Sequence, residues 1–106
     1  MSSTRIDPLA VRRLGKSPLS VTQLGVGTAP LGDLYQRVPE PDAIAMLKTG
    51  YELGVRLFDT APLYGGGLAE HRTGHELRQR ARDSLVISTK VGRYYKAAPA
   101  QLPRSA

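Results

Sequence analysis

The sequence predicts an α/β fold: a β-hairpin followed by three parallel strands that alternate with two helices. Three observations carry this expectation. Short apolar runs recur at residues 24–28, 55–59 and 85–90. Stretches with a helical period, 41–54 and 69–80, lie between them. Glycine or proline marks the junctions. Strands that alternate with amphipathic helices pair in parallel through right-handed crossovers, because only that hand packs the helix back onto the sheet.

Residues 1–10 are expected to be disordered or extended, and the folded body to run from 11 to 93. Val11–Leu14 reads as a strand, Gly15–Pro18 as a turn and Leu19–Val21 as the returning strand. Pro18 keeps this hairpin out of the middle of a larger sheet. Leu24–Thr28, with two glycines, suits a buried strand whose neighbours approach closely. After a loop from Ala29 to Pro39, Pro41 and Asp42 belong in a first helical turn, and Ile44, Leu47 and Tyr51 follow at spacings of three and four. Gly54 stands where a left-handed helix end is wanted. Val55–Asp59 is the next strand, and Gly65, Gly66 and Gly67 lead into a helix over Ala69–Arg80. Leu85–Lys90 is the third buried strand, and residues 94–106, rich in Ala and Pro, are an irregular tail. Three parallel strands are too few to close a barrel and leave two open edges. The chain is therefore expected to belong to a longer protein or, as the alternative, to pair through those edges with another chain.

Composition narrows the function. With 41% hydrophobic and 23% charged residues, the 106-residue chain is globular rather than disordered. No apolar run approaches the ~20 residues of a membrane span, and the N-terminus shows no apolar signal segment. The absence of cysteine rules out disulfides, zinc–thiolate sites and thiol catalysis, so cytoplasmic residence is expected. The net charge of +6 is scattered: Arg12, Arg13 and Lys16 near the start, Arg72, Arg78, Arg80 and Arg82 among Glu70, Glu76 and Asp83, and Arg93, Lys96 and Arg104 in the tail. Solvated helix faces account for most of it. With one Phe and no Trp, the stacking platform of a single-strand binder is missing, so no nucleic-acid partner is expected.

Asp59, Tyr64 and Lys90 stand at or just beyond the C-terminal ends of predicted strands, the face on which parallel α/β proteins assemble their chemistry. A tyrosine can give a proton to a carbonyl oxygen or take one from an alcohol, provided its phenol is made acidic. Two unit charges about 4 Å apart gain on the order of 4 kcal/mol at an effective dielectric of ~20, enough to move a phenol about three pH units. Lys90 is the expected cation, and Asp59 the carboxylate that keeps a buried lysine charged and aimed. Taken singly, each residue has an ordinary alternative: a turn cap, a packing ring, a solvated amine. The glycines at 65–67 either admit a ligand close to the backbone or permit a sharp turn, and they do not form a Gly-x-Gly-x-x-Gly fingerprint. His71 and His75 share a helix face, but no third ligand accompanies them, so no metal site is expected.

Phe58-Asp59-Thr60-Ala61-Pro62-Leu63-Tyr64-Gly65-Gly66-Gly67-Leu68-Ala69-Glu70 resembles the signature of the aldo/keto reductases, and Ser88-Thr89-Lys90-Val91-Gly92 resembles their third-strand motif. Arg13–Ser17 and Leu24–Thr28 are similar to that family's bottom hairpin and first barrel strand. The resemblance spans residues 11–93 and implies a partial (β/α)8 TIM barrel. It implies an NAD(P)-dependent oxidoreductase that moves hydride between nicotinamide and an aldehyde or aldose, with Asp59, Tyr64 and Lys90 as three of four catalytic residues. The fourth, a histidine after the fourth barrel strand, has no counterpart here, so the chain alone is expected to be inactive. Gly27, Thr28 and Asp59 would border the nicotinamide of NADP or NAD, which the resemblance does not distinguish. Within the family the chain is most similar to the aldose and pyridoxal dehydrogenases. A non-enzymatic module that self-associates through its open sheet edge is the competing expectation.

Overall fold

The structure, a computed structural model, describes residues 5–92; the tail at 94–106, Arg93 and residues 1–4 lie outside the described residues. Strand β1 (Val11–Arg13) pairs antiparallel with β2 (Ser20–Thr22), Arg12 opposite Val21. The intervening turn closes on Gly15 at φ +59°, and the Arg13 guanidinium donates across it to the carbonyls of Ser17 and Lys16 at 2.8 and 3.2 Å. As Pro18 requires, the hairpin is a two-stranded sheet of its own. Residues 7–10 are tied down: the N–H groups of Gln23 and Leu24 donate to the carbonyls of Ala10 and Pro8. The Thr22 hydroxyl donates to the Leu24 carbonyl and accepts from the Arg56 N–H, fastening the hairpin at the start of β4.

The second sheet has the order β3-β4-β5, all parallel: β3 (Val26–Gly27), β4 (Leu57–Asp59) and β5 (Val86–Ser88), with α1 (Glu40–Glu52) and α2 (Leu68–Leu77) as the crossovers. This is the opening of a (β/α)8 barrel. Each strand is shorter than its apolar run. β3 and β5 have a neighbour on one side only, so their ladders last just as long as β4 stays alongside. Lys90 is consequently two residues past the end of β5 rather than on it, and β5 is half-exposed rather than buried.

Helix α1 ends as the glycine predicts. Gly54 takes φ +111°, its N–H donates to the Tyr51 carbonyl, and Val55 N–H donates to that of Gly50, the paired bonds of a Schellman end. Helix α2 stops at Leu77, short of the expected Arg80, where the Gln79 and Arg80 N–H groups switch to tighter three-residue bonds. The Arg80 guanidinium lies 4.8 Å from the centroid of the Tyr51 ring, with that of Arg56 at 3.7 Å. The core fills the space between the helices and one face of the sheet: Leu31, Ala43, Leu47, Val55, Phe58, Ala69, Leu77 and Leu85, with Phe58 on the central strand wholly buried. No helix of the described residues is long and apolar enough to cross a membrane.

Candidate active site

Strand pleating sends Phe58 to the helices and therefore Leu57 and Asp59 to the opposite face. Asp59 closes β4 opposite Ser88, and the pairing continues one step further through Thr60 N–H to the Ser88 carbonyl at 2.8 Å. That register delivers the next residues of the β5 segment to Asp59. Lys90 Nζ donates to Asp59 Oδ2 at 2.9 Å, to Oδ1 at 3.1 Å and to the Thr60 carbonyl at 2.9 Å. The same ammonium stands 5.3 Å from the centroid of the Tyr64 ring. Tyr64, Lys90, Ala61, Leu63 and Val91 border a cleft of about 260 Å³. The three residues singled out in the sequence thus converge at one end of the sheet.

The pair is more open than expected. The side chains of Lys90 and Asp59 are 47% and 43% exposed, so water shares the site and screens its charges more than an effective dielectric of ~20 implies. Partial burial pushes the Asp59 carboxyl up, yet hydrogen bonds from Lys90 and Ser88 and the charge of Lys90 outweigh it and leave the group below its ordinary value. The hydrogen bond to Asp59 raises Lys90 above the ordinary lysine value, against slight desolvation, with further help from the Asp59 charge and from Tyr64. Lys90 is a committed cation.

Tyr64 owes its place to glycine. Gly65, Gly66 and Gly67 take φ of +69°, +64° and +97°, folding the chain sharply from Tyr64 into α2. A Cβ on Gly65 would stand 2.3 Å from the Gly32 carbonyl oxygen, and one on Gly32 would stand 2.5 Å from the Tyr64 carbonyl carbon. Gly65 therefore serves both the turn and a backbone-to-backbone contact with the β3–α1 loop. Gly27 lies exposed beside Asp59 with open space where a side chain would project. Thr28 is wholly buried, and its N–H and hydroxyl both donate to the Asp59 carbonyl at 2.9 Å, bracing the strand end from beneath.

Sequence reasoning missed Arg72. Assigned to a solvated helix face, it is 5% exposed, and Glu76 likewise. Its guanidinium donates to Glu40 Oε1 at 2.7 Å and to the carbonyls of Leu31 and Val38 at 2.9 Å, with Asp33 Oδ1 at 3.5 Å, stapling the β3–α1 loop to α2. The signal was present: 69, 72, 73, 76 and 77 form one helical stripe, and Ala69, Thr73 and Leu77 are buried along it. Thr60, whose carbonyl receives Lys90, was also passed over. His71 and His75 are exposed with ring centroids 6.4 Å apart, and no group of three metal-ligating side chains exists among the described residues.

The sequence profile described as Aldo/keto reductase family matches residues 23–105. The chain belongs to the aldo/keto reductase family. It is 54% identical over 82 residues to pyridoxal 4-dehydrogenase of Microbacterium luteolum, covering 77% of this chain and 24% of that protein. It is 40% identical over 103 residues to D-threo-aldose 1-dehydrogenase of a Pseudomonas species, covering 97% and 30%. Among solved structures, the holo form of an aldo-keto reductase from Bacillus halodurans superposes with a TM-score of 0.71 at 36% identity, covering 81% of this chain and 27% of that one. The chain thus spans roughly a quarter to a third of the length of the aldo/keto reductases it matches.

Proposed function

We propose that these residues form the Asp59–Tyr64–Lys90 part of an NAD(P)-dependent oxidoreductase site acting on an aldehyde or an aldose, by sugar C1 oxidation or carbonyl reduction. The observation that carries this is the ammonium of Lys90, held on both oxygens of Asp59 and 5.3 Å from the Tyr64 ring centroid. Gly27 and Asp59 border the open sheet face, with the buried Thr28 holding the Asp59 carbonyl behind them, and the free space at Gly27 suits the flat end of NADP or NAD. When bound, the nicotinamide supplies or accepts the hydride. Tyr64 gives its proton to the carbonyl oxygen in reduction and takes one from the hydroxyl in oxidation. Lys90 stays protonated throughout and stabilises the phenolate. The small-molecule substrate class follows the relatives named for pyridoxal and for D-threo-aldoses.

The test is a graft. Residues 11–93 replace the matching segment of the Microbacterium luteolum enzyme, and NAD(P) reduction with pyridoxal or L-fucose and NADPH oxidation with an aromatic aldehyde are followed. The hybrid is expected to turn over, and Tyr64→Phe to lower its rate by about 10²–10⁴. Equal rates with Phe at 64 would remove the proposal. The 106 residues alone should show negligible turnover, because the described sheet leaves its chemical face open to water.

A second reading has its own observation. Leu24, Val26, Met46, Leu53 and Val55 line an apolar groove beside the free edge of β3, with Leu24 and Leu53 51% and 68% exposed. A non-enzymatic module that self-associates through this edge predicts a defined oligomer on size exclusion at several concentrations.

A further inference from the structure

Among the described residues, little holds the segment that carries Lys90. Ser88, Thr89, Lys90 and Val91 are all exposed, and the β5 ladder has already ended. The Lys90 side chain reaches Asp59 and the Thr60 carbonyl, but a long flexible stem leaves the backbone beneath it free to move. Among the described residues one further bond restrains that backbone: the Thr89 hydroxyl donates to Glu70 Oε2 at 2.7 Å.

Glu70 stands in an informative place. Gly67 is the residue before α2 and brings no side-chain cap, so Glu70 is the third residue of the helix. A glutamate there ordinarily reaches back to the N–H of the capping residue. Here it turns outward to Thr89 instead. The helix dipole favours its negative charge in the first turn, and a charged acceptor makes the shorter, stronger hydrogen bond. The same turn is locked to the tyrosine, since Ala69 N–H donates to the Tyr64 carbonyl at 3.2 Å. Glu70 therefore joins the rigid unit that carries Tyr64 to the exposed segment that carries Lys90.

We infer that Glu70 is a positioning residue: through Thr89 it fixes the backbone at 89–90 so that the Lys90 ammonium meets Asp59 and the face of Tyr64 together. The inference rests on the site proposed above and names a further member of it. The charged and titratable groups that meet Lys90 are Asp59 from β4 and Tyr64 from the following loop, with Glu70 acting one residue away. The carboxylate of Glu70 makes its bond to Thr89 and not to the ammonium, so deleting it removes an anchor rather than a direct ion pair.

The test uses trace acetylation of the whole chain, read by mass spectrometry as the rate at Lys90 relative to the exposed Lys48 across pH 7–10. A lysine held by Asp59 keeps its proton and reacts slowly. Glu70→Ala and Thr89→Val are expected to speed Lys90 about fivefold, the equilibrium factor of one ordinary hydrogen bond. Thr89→Ser, which keeps the hydroxyl, should hold the wild-type ratio, and Glu70→Gln, which keeps the acceptor without its charge, should fall between wild type and Glu70→Ala. Circular dichroism checks folding, and if Glu70→Ala unfolds, the Thr89 pair decides. A wild-type ratio in Glu70→Ala or Thr89→Val overturns the inference. Asp59→Asn separates the two levels: if it accelerates Lys90 while Glu70→Ala does not, only the role of Glu70 falls. If Asp59→Asn leaves the ratio unchanged, the site itself is misread and the inference goes with it.

Discussion

Replacing Arg72 by methionine removes the staple between the β3–α1 loop and α2 while keeping the volume of the side-chain stem, so no large cavity confuses the result. The cost can be assembled from the contacts. The Leu31 carbonyl loses its partner in a buried setting, which costs about 1–3 kcal/mol. The Val38 carbonyl is only partly buried and costs less, because water can replace the guanidinium. Glu40 is 52% exposed and Asp33 34%, so each of those ion pairs contributes below about 1 kcal/mol. Together Arg72→Met should lose about 2–4 kcal/mol, a large part of the roughly 5–15 kcal/mol available to a chain of this size. Urea unfolding followed by circular dichroism is the assay, and the midpoint should fall by about 1.5–3 M. Glu40→Gln, which breaks only the exposed ion pair, should cost less than about 1 kcal/mol. Two results would refute the reasoning: a loss below about 1 kcal/mol for Arg72→Met, or equal losses for both variants. Either would mean that the buried carbonyls do not depend on Arg72.

Glycine substitutions should separate along the chain. Gly65→Ala drives a methyl into the Gly32 carbonyl oxygen from a left-handed backbone and should lower the unfolding free energy by about 2–4 kcal/mol, whereas Gly74→Ala, mid-helix with open space around it, should raise it by about 0.5–1 kcal/mol; thermal melts of both would show the opposite signs. The Asp59–Lys90 pair should shape stability at both pH extremes. Asp59 lies below its ordinary value of 3.8, so its contribution is present above that pH and is lost as pH falls through the lower folded value. Lys90 lies above its ordinary 10.5, so its contribution is present below that pH and is lost as pH rises through the higher folded value. Stability of the wild type minus that of Asp59→Asn should therefore be flat through neutrality and decline toward both ends, with a small amplitude because nearly half of each side chain meets water. A difference that grew toward acid or alkali would contradict the assigned directions.

Much of this architecture was legible because its signals are local. The helix end at Gly54 needs only a glycine after an apolar period, and the hairpin needs only its turn residues and Pro18. The placing of Asp59 at the C-terminal end of its strand followed from its position at the end of an apolar run. Strand lengths were not legible in the same way. An apolar run states how much chain wants burial, while a ladder lasts only as long as its neighbour does; Lys90 left the strand because β4 gives β5 nothing to pair with beyond this point. Arg72 was misjudged because charge was weighed before helical phase. Its place in the stripe of Ala69, Thr73 and Leu77 marked it as inward-facing, but the carbonyls that compensate it belong to a loop 34–41 residues away in sequence, and no local pattern reveals them. The contact between Gly32 and Gly65 was hidden for the same reason.

The pleat of β4 separates what stabilises the chain from what holds the Lys90 ammonium. Phe58 faces the helices and anchors the core, while the residues on either side of it face away. Losing Phe58 to alanine belongs among the costliest changes a core can suffer, about 3–5 kcal/mol. Changing Asp59, one residue along, removes an ion pair that is 43–47% exposed and costs little stability by comparison. Neighbouring residues of one strand thus answer to different demands, one to packing and the other to the position of an ammonium. The same division explains how three strands can assemble Asp59, Tyr64 and Lys90 without covering them. The helix-facing side closes over its own apolar core, and that alone fixes the register that sets Asp59 opposite Ser88 and brings the lysine within reach. Covering the other face demands backbone that these three strands do not supply. Bringing these three side chains together and secluding them from water are therefore separate physical steps, and the described residues accomplish the first.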